Sequence, residues 1–456
     1  MPQTAKNLSL NTCNFIYTLY ILKEKCQKRQ KSFIWSFFFM NIERPIYLQQ
    51  LINRMNNGMI KIITGLRRCG KSYLLFELFR EYLLSSGVKA ENIIGIELDR
   101  FSSAKYRDPA VLLDYLNTKI HENENYYIML DEIQMLRDFS SVLNELLHYR
   151  NVDVYVTGSN SKFLSTDILT EFRGRGDQIR IHPLSFSEFF SSFDGNKEDA
   201  WQEYFTYGGL PLILTMKSDE QKIAYLNDLF EMTYIKDIKE RNKIRYESEL
   251  GELLDVLASS TGSLTNPQKL ANTFKSKRNS GFAETTITRY CSFLENAFLI
   301  CKGSRYDVKG KKYISTPFKY YFEDVGLRNV RLNFRQQEEN HIMENIIFNE
   351  LRYRGFSVDV GVVETREKTP EGKEIRKQLE IDFIANSGSK RYYLQSAFNL
   401  ATSEKDAQER RPFLKVNDYF KKIILVRDNI KIRRDEFGIV TMGILDFLLN
   451  PGSLDM

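Results

Sequence analysis

Eight consecutive residues, Gly65-Leu66-Arg67-Arg68-Cys69-Gly70-Lys71-Ser72, carry the most specific chemistry in the chain, because they fit G-x-x-x-x-G-K-[ST]. Glycines at both ends allow backbone angles and close approaches that a Cβ would block, so successive N–H groups can turn inward on phosphate oxygens. Lys71 would reach the β- and γ-phosphates of a nucleotide such as ATP, and Ser72 would ligate Mg2+. The start of a helix adds its partial positive charge.

About sixty residues on, the apolar run Tyr126-Tyr127-Ile128-Met129-Leu130 ends in Asp131-Glu132. An acid at the end of a buried strand can hold the Mg2+ shell, a role that suits Asp131. Glu132 would then polarise the attacking water as general base. A further run, Val152 to Val156, ends at Thr157-Gly158-Ser159-Asn160. Asn160, or alternatively Thr157, could orient water against the γ-phosphate; both residue types also favour turns. Arg173 and Arg175, in Phe172-Arg173-Gly174-Arg175-Gly176, offer guanidinium groups able to stabilise phosphoryl charge, with structural ion pairing as the alternative.

The elements that must position these groups alternate. Met59–Thr64, Ile93–Leu98, Tyr126–Leu130 and Val152–Val156 read as buried strands, and Tyr73–Phe79 and Ala110–Ile120 have helical spacing. Such alternation predicts a parallel sheet covered on both faces, with its ligands at the carboxyl ends of the strands.

These motifs, in this order, resemble the archaeal and bacterial AAA-domain ATPases that carry a C-terminal restriction-endonuclease-like domain. The resemblance rests on G-L-R-R-C-G-K-S, on L-D-E-I-Q at Leu130–Gln134, on T-G-S-N at Thr157–Asn160 and on F-R-G-R-G. It continues through Pro183-Leu184-Ser185-Phe186-Ser187-Glu188-Phe189, Tyr207-Gly208-Gly209-Leu210-Pro211 and Leu379-Glu380-Ile381-Asp382-Phe383, covering about residues 40 to 450. It implies an α/β P-loop NTPase sheet with a helical lid, ATP and Mg2+ as cofactors, and a sensor role for Asn160. It also implies an arginine, Arg175 before Arg173, acting in the site of a neighbouring copy in a homo-oligomer.

The expected layout is a core at 40–182, a helical lid at 183–260, a winged-helix-like unit at 261–335 and a restriction-endonuclease-like unit at 336–456. In the third, Asn266 caps a helix Pro267–Phe274, a second helix spans about Glu284–Ala297, and short strands around Phe298–Ile300 and Lys311–Ile314 could form a wing. Ten basic residues against three acids between Pro267 and Tyr313 make a local charge of +7. Such a patch suits DNA phosphates, although winged helices also pack against other domains. In the last unit Glu344 and Asp382 match the acids of the nuclease fold. Gln395 and Ala397 stand where its second acid and lysine belong, so a degenerate fold used for binding or scaffolding is expected, with residual nuclease activity as the alternative.

At 456 residues and 42% hydrophobic, the chain can bury several cores. Residues 1–39 hold six Lys or Arg and one Glu, so the rest carries about +1 of the net +6. The basic balance therefore does not assign the body of the chain to nucleic acid. This leader is expected to be unstructured or an upstream translation artefact, with a surface-binding arm as the alternative. Five scattered cysteines and four histidines give no metal-ligand or disulfide spacing, and a Cys within the phosphate loop fits a reducing cytoplasm. No segment approaches twenty uninterrupted apolar residues, so no membrane partner is expected.

Overall fold

A computed structural model of the chain describes residues 42–158, 174–244, 247–278, 283–335, 338–368, 374–400 and 402–456. The leader, Asn160 and Arg173 lie outside the described residues. Every described helix and strand belongs to one compact unit, Glu43–Met456.

Five strands, β1 (Ile60–Gly65), β2 (Ile93–Glu97), β3 (Tyr126–Asp131), β4 (Val152–Gly158) and β5 (Gly176–Ile181), form a sheet in the order β2-β3-β4-β1-β5. All four pairings are parallel. Alternate residues sort to the two faces, as the pleat requires. Ile60, Ile62, Ile96, Ile128, Leu130, Val154 and Val156 pack with Leu112 and Leu116 of the helix Pro109–Asn117 and with Val142, Leu143 and Leu146 of the helix Phe139–Leu146. On the other face Phe79 lies 4.7 Å from Tyr155, ring centre to ring centre. Phe79 belongs to a continuous helical run from Lys71 to Ser85 whose middle segment, Leu74–Phe79, is π-helical. Pro109 opens its helix where sequence rules place proline, with the Asp108 carboxylate accepting from the N–H groups of Ala110 and Val111.

Helices Phe186–Ser191, Lys197–Tyr207 and Asp219–Asp228 follow, and helical structure continues through Lys236–Asn242 and Glu247–Ser259. The bend at Gly208–Leu210, between the helix Lys197–Tyr207 and the short helical turn Pro211–Thr215, is tied down from far away. The N–H of Gly209 donates to Asp324 Oδ2 at 2.7 Å, and Asp324 also caps the helix Val325–Arg331. At Gly208, φ is +79° and a Cβ would lie 2.2 Å from Asp324 Oδ1, so only glycine fits. Burial pushes the Asp324 carboxyl up to about 6.

The second sheet has eight strands: β6 (Ile300–Asp307), β7 (Lys312–Phe322), β8 (Ser357–Lys368), β9 (Glu374–Ser387), β10 (Lys390–Ala397), β11 (Lys421–Val426), β12 (Arg433–Arg434) and β13 (Val440–Gly443). Their order is β12-β13-β11-β10-β9-β8-β6-β7, and the sheet is mixed. The helix Glu339–Tyr353 precedes β8, and Ser403–Leu414 lies between β10 and β11.

The hairpin read as a wing differs from expectation. Its strands are longer than the sequence suggested, and β6 continues into parallel pairing with β8 from Arg305↔Val360 to Asp307↔Val362. The hairpin is thus an edge of the large sheet, which runs across the boundary drawn at residue 335. Pairing between segments more than fifty residues apart leaves no local mark in an amphipathic strand.

Candidate nucleotide site

Parallel strands in this register bring their carboxyl ends to one edge. Gly65 opens the loop there, with φ +144° and a Cβ position only 2.1 Å from the carbonyl oxygen of Ile181. That contact requires glycine. Gly70 sits at φ +98° immediately before the helix that begins at Lys71. Lys71 is buried, and its ammonium donates to the carbonyls of Gly65 at 3.2 Å and Leu66 at 3.0 Å. The loop's flank is held by the helical region: Tyr234 donates to the carbonyl of Arg67 at 2.7 Å, and Arg67 pairs with Asp237 at 2.9 Å. Arg68 is exposed, at φ +67°.

Cys69 is fully buried, with Sγ 3.6 Å from the Ile181 carbonyl oxygen, and burial pushes its thiol up. The thiol therefore packs the underside of the loop and is not a redox handle.

Asp131 ends β3 beside the loop. Burial raises its carboxyl above the usual range, and hydrogen bonds from Thr157 and Ser72 act against that shift. Thr157 Oγ1 donates to Asp131 Oδ1 and accepts from the Glu132 N–H at 3.1 Å. Of the two residues weighed for water orientation, Thr157 is thus engaged in fixing Asp131 and Glu132. Glu132 itself adopts φ +50°, and its Oε2 accepts from Gln134 Nε2.

Glu97 and Asp99 were not singled out in the sequence. Glu97 lies opposite Asp131 in the β2–β3 register, and one oxygen from each of Glu97, Asp99 and Asp131 lies within 4.8 Å of the others. The available signal was an acid at the carboxyl end of a strand. Its significance depends on which strand is the neighbour, and that is a tertiary fact.

Arg175 stands elsewhere. Ile60 pairs with Gly176 and Gly65 with Ile181, so Arg175 lies at the amino edge of the sheet, about 16 Å along the strands from the loop. It is exposed and donates to Asn144 Oδ1 at 3.2 Å. No arginine side chain spans that distance, so Arg175 does not serve the loop of its own chain.

A buried polar chain leads away from the loop. Arg44 donates to the carbonyls of Cys69 at 3.1 Å and His182 at 2.7 Å and lies 3.1 Å from Glu188 Oε1. His182 Nδ1 shares a hydrogen bond with Glu323 at the end of β7, and Glu323 also receives Arg180 and Arg352 at 2.9 Å each. Burial lowers the His182 imidazole to about 4, so it is neutral near pH 7. Burial opposes ionisation of Glu323, but Arg352, Arg180 and His182 outweigh it and hold the carboxyl well below its ordinary range. Arg352 sits on the helix Glu339–Tyr353, so the chain reaches the second sheet.

A family model described as an AAA domain matches residues 57–190, and one described as a domain of unknown function matches residues 198–338. An uncharacterized protein of Haemophilus influenzae is 33% identical over 414 residues, covering 90% of this chain and 98% of that one. The chain belongs to that protein's family. An uncharacterized protein of Methanocaldococcus jannaschii is 27% identical over 383 residues, with 80% of each chain covered. Among solved structures, a Walker-type ATPase of Pyrococcus abyssi aligns with a TM-score of 0.43 at 14% identity, over 64% of this chain and 96% of that one. The five-stranded parallel sheet matches a P-loop NTPase fold, and the AAA-domain match at residues 57–190 contains all five of its strands. Among the described residues, no helix is long and apolar enough to cross a membrane.

Proposed function

We propose that this protein binds ATP and hydrolyses it with Mg2+, working as a nucleotide-driven switch on its own helical and mixed-sheet units. One observation carries the reading: the phosphate loop, Lys71, Ser72 and Asp131 meet at one edge of the sheet. Ser72 and Asp131 fit a hard cation, since a buried carboxyl bonded to a hydroxyl is an all-oxygen donor pair. Mg2+ held there would neutralise charge on the β- and γ-phosphates. Glu132 is the candidate base, and Asn160 the candidate for positioning water.

The switch reading is supported by the Arg44 contact to the Cys69 carbonyl. A nucleotide that reshapes the loop shifts a carbonyl to which the buried chain toward Glu323 and Arg352 is anchored. The 261–335 segment retains its winged-helix reading for its helices, and the last unit its reading as a degenerate nuclease-like scaffold.

An ATP-controlled DNA-binding regulator is the second reading, favoured by exposed Lys269, Arg289, Lys302, Lys309, Lys311 and Lys312. Arg305 does not contribute, being buried and bonded to Gln378 at 3.0 Å. Measuring ATP turnover with and without duplex DNA separates the two. The switch is expected to hydrolyse ATP without DNA, whereas the regulator is expected to bind DNA in an ATP-dependent way with negligible turnover. A rate no higher than that of Lys71→Ala would sink the ATPase reading.

Arg175 completes the proposal as a residue for a neighbouring copy's site. Arg175→Ala is expected to bind ATP nearly normally and to hydrolyse it about 10³-fold more slowly, because the charge matters when phosphoryl transfer develops. Mixing it with Lys71→Ala should partly restore turnover, since each variant supplies what the other lacks. Normal turnover by Arg175→Ala would make the residue structural. Loss without rescue in oligomers that exchange subunits would remove the argument for a shared site.

A further inference from the structure

Three carboxylates from two separate elements meet around one ammonium in the mixed sheet. Lys319, on β7, is 3% exposed. Its Nζ lies 2.9 Å from Glu344 Oε1 on the helix Glu339–Tyr353, and 2.8 Å from Glu380 Oε1 and 4.0 Å from Asp382 Oδ1 on β9. The sequence led us to expect no lysine here, because Ala397 occupies the place where one was sought on β10. In space a lysine is present, and it arrives from a strand on the other side of the helix in sequence.

Carboxylates converging in this way are how proteins hold Mg2+, Mn2+ or Ca2+, and left alone they would repel one another. Either a divalent ion or a buried organic cation can compensate them. We propose that the Lys319 ammonium is the resident cation of this cluster and takes the place of a divalent ion, so that the cluster needs no metal and performs no metal-assisted phosphodiester hydrolysis. Removing the ammonium would turn the same carboxylates into a divalent-cation site.

The donor count supports this assignment. Glu344 and Glu380 can accept two of the ammonium's three N–H bonds, at 2.9 and 2.8 Å, and Asp382 Oδ1 faces it at 4.0 Å, within ion-pair but not hydrogen-bond range. Two of the carboxylates also accept from neighbours: Tyr321 donates at 2.7 Å to Glu344 Oε1, the oxygen that also faces Lys319, and the Ser396 N–H donates to Asp382 Oδ2 at 2.8 Å. The turn at Gly262 covers Glu344 so closely that a Cβ there would lie 3.2 Å from the carboxylate. Gln395 brings an amide oxygen to 3.4 Å from the Asp382 N–H and supplies no further charge. Nor can Lys319 act as a base for water. Burial opposes its charge, yet Glu344, Asp382 and Glu380 together hold the ammonium above its ordinary range, so it keeps its proton.

The test is Mn2+ stoichiometry on the nucleotide-free full chain, by spin resonance. Wild type and Asp382→Asn are expected to bind equal amounts. Lys319→Ala should bind one further ion per chain, which Lys319→Ala/Asp382→Asn should lose, and Mn2+ should raise the unfolding temperature of Lys319→Ala but not of wild type. If Lys319→Ala does not fold, Lys319→Met/Glu380→Gln removes the ammonium with one fewer unpaired charge and carries the same test. An ion lost from wild type on Asp382→Asn, or Mg2+-dependent DNA cleavage abolished by that substitution, would overturn the proposal. So would a folded lysine variant that gains no ion.

Discussion

Lys71→Ala is expected to lose tight ATP binding while leaving the fold intact. The ammonium lies inside the loop, 3.0 to 3.2 Å from two of its carbonyls, and would exchange those contacts for phosphate oxygens. Hydrogen bonds to charged groups contribute about 1.5–3 kcal/mol each, so losing two of them weakens binding by about 10²- to 10⁴-fold. Isothermal titration calorimetry of the variant checks the value, and its thermal unfolding checks the fold. Tight ATP binding by a folded Lys71→Ala chain would contradict the assignment of the loop.

Glu132→Gln should behave in the opposite way. Its backbone N–H bonds to Thr157, and that contact survives the substitution, as does Asp131 with its partners Thr157 and Ser72. The cation-binding pair is therefore kept, and ATP affinity should change by no more than a few-fold. Turnover should fall by about 10²- to 10⁴-fold, because the amide cannot take a proton from water. Comparing ATP affinity with the single-turnover rate separates these effects. An equal loss of binding in both variants would show that Glu132 holds the nucleotide and does not activate water.

The two residues differ in how they could be found. Lys71 is fixed by a contiguous stretch in which each residue sets the backbone of the next, so the loop is legible wherever the spacing occurs in a strand-to-helix setting. Asp131 and Glu132 were legible for a related reason: a short apolar run that ends in acids marks the end of a buried strand. The parallel sheet followed from the alternation of such runs with helical ones, and the glycines at Gly65 and Gly70 marked positive-φ positions, at the first of which a Cβ would collide with the Ile181 carbonyl.

What the sequence could not supply is the identity of neighbours. Glu97 joins Asp131 only because β2 lies beside β3 in a register that sets them opposite each other. Thr157 proved to be a support for Asp131 and Glu132 because β4 lies on the other side of β3. That Arg175 lies far from its own chain's loop follows only from the register in which β5 pairs with β1. The strands expected around 298–300 and 311–314 read as a local wing, but β6 also pairs on its inner side with β8, whose partner residues lie more than fifty positions further on. Lys319 shows the limit most sharply: the local pattern led to a search for a lysine at Ala397 on β10, whereas the lysine that meets these acids is delivered by β7. Backbone conformation and strand identity are short-range properties, written in consecutive side chains. Electrostatic compensation is a property of space, and a buried charge can be met from any segment the fold brings within about 3 Å.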